Sequence, residues 1–185
     1  MILQALVKHY ENLADAGKVS RGWCQAKVSY AVNLSRDGEI TGIVSLKQEE
    51  ERGKKKVLVP SPMMVPEMVT RGRRVSANFL CDNSQYILGI DADGTGQRVL
   101  ECFQAAKKRH LSLLKNVEGD MARAVRLYFE NWKPEQAAEC EAVKEAWEDL
   151  TDGGNLIFCM GIDYAQDDGY IREAWEAAGN GSEEA

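Results

Sequence analysis

Between Val28 and Leu46 apolar and polar residues alternate with a period of two. Val28, Tyr30, Val32 and Leu34 precede Ser35-Arg36-Asp37-Gly38, and Ile40, Gly42, Val44 and Leu46 follow it. Successive side chains of a strand point to opposite faces, so this alternation about a short Asp-Gly segment specifies a β-hairpin with one buried face. The rest of the chain must therefore pack on a sheet. A second strand pair is expected at Val75-Ser76-Ala77-Asn78-Phe79-Leu80-Cys81 and Tyr86-Ile87-Leu88-Gly89-Ile90, with Asp82-Asn83-Ser84 as the turn.

Elsewhere the period changes to that of a helix. Leu3, Leu6, Val7, Tyr10 and Leu13 mark a helix over residues 2–16 that stops at Gly17. Val99, Phe103, Ala106, His110 and Leu113 mark one over residues 97–114, and Met121, Val125, Tyr128 and Trp132 mark one starting at Gly119-Asp120. Pro134, tolerated in a first helical turn, opens a fourth with Ala137, Cys140, Val143, Trp147 and Leu150. A further strand is expected at residues 156–160 and a last short helix at 171–177. Together these predict an α+β fold, a mainly antiparallel sheet with helices packed on it in a single domain over residues 1–178. Residues 179–185 are expected to be a flexible acidic end and a truncation point of a longer protein.

The whole chain of 185 residues carries 23 Lys and Arg against 29 Asp and Glu. That acidic balance argues against a simple basic nucleic-acid binder, but the charge is unevenly placed. Residues 1–116 hold 18 basic and 12 acidic residues, a balance of +6, which leaves -12 for residues 117–185. Such asymmetry points to a basic face for a polyanion and an acidic region directed elsewhere. Five cysteines without a C-x-x-C pair, together with two histidines, disfavour a zinc site or a disulfide framework and fit a reducing, cytoplasmic setting. No apolar run approaches the length of about 20 residues that spans a bilayer.

Enzymatic chemistry finds weak footing. Asp91-Ala92-Asp93-Gly94 resembles the opening of a calcium loop, yet the twelfth position is Cys102 where such a loop needs a bidentate Glu, so an Asp-Gly turn is preferred. His9 and His110 lie in expected helices and read as structural. Gly94-Thr95-Gly96 is only a fragment of a phosphate-binding fingerprint. No catalytic residue, cofactor or metal is expected.

The sharpest local feature lies at residues 52–74. Seven basic residues (Arg52, Lys54, Lys55, Lys56, Arg71, Arg73 and Arg74) stand against one acid, Glu67, and three prolines punctuate the segment. It reads as a surface excursion between strands. One use of such charge is solubility; the other is to hold a nucleic-acid backbone, with Asn78, Asp82 and Asn83 nearby to meet base edges.

Four blocks in order sharpen the second use. MILQALVKHYENLAD, AKVSYAVNLSRDGEITGIVSL, VSANFLCDNSQYILGID and GGNLIF together resemble the N-terminal region of the large subunit of the type I-C CRISPR surveillance complex, the Cascade of the Dvulg subtype. The resemblance runs from Met1 to about Trp175 and implies a non-enzymatic role. A subunit of this kind sits at the crRNA 5′ end and recognises the protospacer-adjacent motif in double-stranded DNA. It helps open the duplex and presents the target to a separate helicase-nuclease. Its implied partners are double-stranded DNA, crRNA, and the crRNA-binding backbone and 5′-end-capping subunits, with no membrane. Carried onto this chain, the resemblance places motif reading at Asn78, with Asp82 and Asn83 behind it. Backbone contact falls to Arg52, Lys54, Lys55, Lys56, Arg71, Arg73 and Arg74. Phe79 and Leu80 are either an opening wedge or core. The rival reading is a scaffold that docks crRNA or neighbouring subunits without reading DNA.

Overall fold

The computed structural model describes residues 22–182, so the helix expected over residues 2–16 lies outside the described residues. Strand β1 (Trp23–Leu34) is twelve residues long and organises the sheet. Its second half pairs antiparallel with β2 (Ile40–Ser45), but the register shifts between Asn33 and Leu34, so Ile43 lies opposite Val32 and Val44, expected on the buried face, is 42% exposed. The turn is held by Ser35, whose Oγ accepts from the backbone N–H groups of Asp37 and Glu39. Gly38 has φ +80° and lies against the helix below. A Cβ there would sit 2.5 Å from the Tyr128 backbone nitrogen and 2.6 Å from the Ala124 carbonyl oxygen. Gly38→Ala is therefore expected to cost about 2 kcal/mol in urea unfolding, from left-handed strain and a clash against backbone. A loss below about 0.5 kcal/mol would contradict this packing.

Residues 47–74 differ from the expected irregular excursion. They contain a separate two-stranded ribbon, β3 (Gln48–Arg52) with β4 (Lys55–Val59), and then β5 (Ser61–Pro66). β5 pairs antiparallel with the first half of β1, Trp23 opposite Pro66 and Val28 opposite Ser61. Prolines are tolerated there because β5 is an edge strand, where a missing ladder donor is least damaging. The period of two is illegible in β3 because all five of its residues are exposed, so no apolar stripe is required there.

Val28 also pairs with Asn155 of β6 (Asn155–Met160), which puts β5 and β6 on opposite edges of β1. β6 runs parallel to β1 and is extended by the short antiparallel β7 (Asp163–Tyr164). β2 and β5 therefore follow one another along a single edge, and the β3–β4 ribbon leaves the sheet between them. At its base Leu46 N–H donates to Ser29 O, and Ser61 Oγ donates to Leu46 O.

The second expected strand pair does not form. Ala77 to Cys81 are all buried, at 6% exposure or less, so the segment runs through the core instead of alternating across a sheet. Asp82 makes a lone bridge to Leu156. Asn83 then caps a short helix, α1 (Ser84–Ile87), by accepting from Gln85 N–H, so the side chain expected to make a strand turn starts a helix instead.

Helices α2 (Gln97–Leu114) and α3 (Asp120–Asn131) match the helical stripes. Their buried residues cover one sheet face, where Tyr30, Val32, Leu34, Leu156 and Phe158 point; Ala31, Val65, Ile157 and Cys159 form a second cluster. The helix expected from Pro134 is broken into a 3-10 turn (Pro134–Glu139), α4 (Glu141–Glu145) and α5 (Trp147–Leu150). Its apolar residues recur mostly in steps of three, which drift around a helix of 3.6 residues per turn. The last helix, α6 (Gly169–Ser182), is longer than expected and runs through residue 178. The architecture is α+β, with a mainly antiparallel sheet and helices packed on it.

Candidate nucleic-acid interface

The basic residues of the excursion fall into two groups. Arg52, Lys54, Lys55 and Lys56 cluster at the tip of the β3–β4 ribbon, around a two-residue turn in which Gly53 takes φ +65°. A left-handed residue there matches the twist of a tight hairpin. All four basic residues are exposed. β3 also carries Glu49, Glu50 and Glu51, and the register sets Glu51 opposite Lys56. Arg52 meets Glu50 at 3.2 Å in an exposed pair of little energetic value. The ribbon thus has a basic tip on an acidic stem, and the three glutamates leave residues 48–59 with a balance of only +1. On β4, Leu58 is 62% exposed.

Arg71, Arg73 and Arg74 lie beyond the far end of β5, a six-residue strand of about 20 Å. Arg71 is turned inward. Its Nη1 and Nη2 donate to the two carboxylate oxygens of Asp82 at 2.8 and 2.7 Å, and Nη1 also donates to Ser76 O at 3.1 Å. The guanidinium stacks over Tyr86, 4.2 Å from the ring centroid. Burial works to lower the Arg71 pKa, but the hydrogen bonds and charge of Asp82, with help from Tyr86, outweigh it and raise it.

Asp82 is fully buried. Besides Arg71 it accepts from the backbone N–H groups of Asn78 and Asn83, at 3.0 and 2.9 Å. Its own N–H and C=O pair with Leu156, which anchors the carboxylate to β6. Asn78 is 2% exposed, and its Oδ1 accepts from Val69 N–H at 2.7 Å. Asn83 is half-buried and occupied in capping α1. Of the three residues expected to read bases, none is presented outward in this conformation: Asn78 and Asp82 tie together the loop of residues 67–83, and Asn83 starts the helix after it. Phe79 and Leu80 are core, at 1% and 0% exposure, not a surface wedge.

Arg73 and Arg74 remain exposed at the outside of this loop. Beside them the structure brings a residue that sequence reasoning missed: Arg98, whose Nη2 donates to Arg73 O at 2.9 Å. Its separation of 25 positions leaves no local pattern to reveal the contact. His110 is structural, as expected, with both ring nitrogens in hydrogen bonds. Asp91 forms a tight turn, its Oδ1 accepting from Asp93 N–H. Among the described residues no group of three or more His, Cys, Asp or Glu is placed to hold a metal ion. No helix among them is long and apolar enough to cross a membrane.

The family model described as CRISPR-associated protein (Cas_Csd1) matches residues 6–185 of the chain. No curated protein matches it.

Proposed function

The chain belongs to the CRISPR-associated Cas_Csd1 family, and on that premise we propose that it is a non-catalytic DNA-recognition module of a type I-C Cascade complex. It recognises the protospacer-adjacent motif in double-stranded target DNA and helps start duplex opening for antiviral interference in the cytoplasm. Family membership over nearly the whole chain is the observation that carries this reading. Two exposed basic groups agree with it, because phosphate contact depends on clustered Lys and Arg and not on the net charge of the chain. Sequence beyond the motif is read by guide RNA pairing. Its working partners are double-stranded DNA, crRNA, the crRNA-binding backbone and 5′-end-capping subunits, and the helicase-nuclease recruited to the full complex.

The Arg71–Asp82 ion pair, a latch on the loop of residues 67–83, redirects the roles of the motif-reading candidates. Asn78 and Asp82 act through the loop they hold, by fixing where its exposed backbone and arginines meet the duplex. The ribbon tip supplies backbone contact through Arg52, Lys54, Lys55 and Lys56. Lys55→Ala combined with Lys56→Ala is expected to weaken binding to all duplexes alike and to lower the salt slope of log K by about two units. Both side chains are exposed, so unfolding stability should stay unchanged. Anisotropy titrations of the chain, and of the assembled complex, against duplexes with correct and scrambled motifs test both parts. Equal binding of the two duplexes by the complex would overturn motif recognition.

A scaffold role is favoured by one observation. Leu58 is 62% exposed between half-buried Val57 and Val59, an aliphatic strand with nothing packed over Leu58 among the described residues. Crosslinks from Leu58 that yield only protein or crRNA adducts in the complex, with no DNA adducts from the ribbon tip, would establish that reading instead.

A further inference from the structure

We propose that Arg98 joins Arg73 and Arg74 in one phosphate-binding corner, a site for the phosphodiester backbone of duplex DNA. This rests on the reading above and adds to it a residue outside the basic excursion. The corner is built by two elements. The loop of residues 67–83 is fixed from inside by the Arg71–Asp82 pair and by Asn78 Oδ1 on Val69 N–H, which leaves Arg73 and Arg74 on its outer side. The first turn of α2 then sets Arg98 against that loop, its Nη2 on Arg73 O at 2.9 Å.

All three arginines are exposed, and none makes an ion pair among the described residues. The first turn of α2 contains no acidic residue, and Gly96 offers no capping side chain. The partial positive charge of the helix end therefore has the same sign as the guanidinium groups. Arg98 uses one Nη2 donor on Arg73 O, and a guanidinium carries five N–H donors, so it can bridge the loop to a phosphate without giving up its structural contact. Cations thus reach the corner from two elements, Arg73 and Arg74 from the loop and Arg98 from the first turn of α2.

The test is a salt-dependent anisotropy titration of a labelled duplex with the parent chain, Arg98→Gln, the Arg73→Gln/Arg74→Gln pair, and Lys108→Gln as a control. Lys108 is exposed on the same helix, about 15 Å further along. Arg98→Gln is expected to lower the salt slope by about one unit and the affinity about five- to tenfold at 0.1 M salt, the share of one released counterion. Lys108→Gln should change neither. A loss for Arg98→Gln no greater than that for Lys108→Gln overturns the corner, because net charge alone explains it. The same titration with single-stranded RNA separates the two sources of phosphate, and a larger loss on RNA than on duplex overturns the assignment to DNA. Loss for Lys55→Ala/Lys56→Ala with no loss for Arg98→Gln removes the corner and leaves the proposed function standing. Absence of duplex binding by both the parent chain and its complex removes both.

Discussion

Asp82→Ala is expected to destabilise the chain by about 3–5 kcal/mol, the usual cost of breaking a buried ion pair from one side. The carboxylate is fully buried and accepts four hydrogen bonds, two from Arg71 and one each from the N–H groups of Asn78 and Asn83. Truncation leaves a guanidinium only 24% exposed without its counter-charge, and two backbone donors without acceptors. The backbone bridge from Asp82 to Leu156 holds the position against β6, so the neighbours cannot relax easily toward water. Asp82→Asn keeps the shape but removes the charge, and should cost less, about 1–3 kcal/mol. Removing both charges with apolar residues of similar volume should cost less than the sum of the single changes, since no unpaired charge is left behind. Urea unfolding of Asp82→Leu, Arg71→Met and the double variant measures this coupling. If Asp82→Ala stays within about 1 kcal/mol of the parent, the latch does not organise the loop.

The latch also shows where sequence reading reached its limit. The β1–β2 hairpin was legible because Tyr30, Val32 and Leu34 alternate on one buried face before an Asp-Gly turn, although the register shift between Asn33 and Leu34 puts Ile43 and not Val44 opposite them. Helices α2 and α3 were legible for the same reason in a different period: Val99, Phe103, Ala106 and His110 all face inward, as do Met121, Val125 and Tyr128. Alternation carries no such information at Ala77 to Cys81, where every side chain is buried and burial comes from irregular backbone crossing the core. Asn78 and Asp82 are polar residues in that buried run, and from sequence alone a polar residue beside a basic excursion reads as a ligand contact. Their partners decide otherwise. Val69 N–H and Arg71 belong to the basic excursion itself, brought back by β5.

The ribbon was hidden for the opposite reason. Glu49-Glu50-Glu51-Arg52-Gly53-Lys54-Lys55-Lys56 has no apolar stripe, but it does have opposite charges mirrored about a glycine, and the register of Glu51 with Lys56 uses that symmetry. Cross-strand opposite charges stabilise a pair modestly. Counted over residues 52–74 the excursion looked strongly basic, whereas the folded ribbon also takes in Glu49, Glu50 and Glu51, so residues 48–59 carry only +1 and the positive charge is confined to the tip. The candidate phosphate contacts therefore shrink to two small groups, the tip and the arginine corner, with β4 and β5 between them along the chain.

The second large effect is an acid-sensitive stability set by His110. The ring is fully buried; Nε2 accepts from Leu80 N–H at 2.8 Å, and Nδ1–H donates to Ala106 O at 2.7 Å. Both nitrogens are satisfied only in the neutral ring, because a proton on Nε2 would face another donor. Phe129 stacks on the imidazole with centroids 4.3 Å apart, and Phe79 lies at 5.1 Å. Burial, reinforced by the charge of Arg109 and partly opposed by the Ala106 hydrogen bond, lowers the His110 pKa to about 4. An unfolded histidine titrates near 6.5, so between pH 6.5 and 4 the unfolded chain binds a proton that the folded chain refuses. This contribution is complete above about pH 6.5 and is lost as the pH falls, amounting to about 3 kcal/mol by pH 4. The loss bears on the candidate interface. His110 holds Leu80 at φ +63°, a conformation costly for a side chain with a Cβ, and Leu80 stands two residues before the carboxylate that latches Arg71. His110→Gln retains an acceptor for Leu80 N–H but cannot titrate. It should be less stable than the parent at pH 7, and its loss between pH 6.5 and 4.5 should be smaller by about 2–3 kcal/mol. Urea unfolding across this range measures the difference. With only His9 and His110 in the chain, a histidine NMR titration reads the cause directly, and two rings both titrating near 6.5 would rule out a neutral, buried His110.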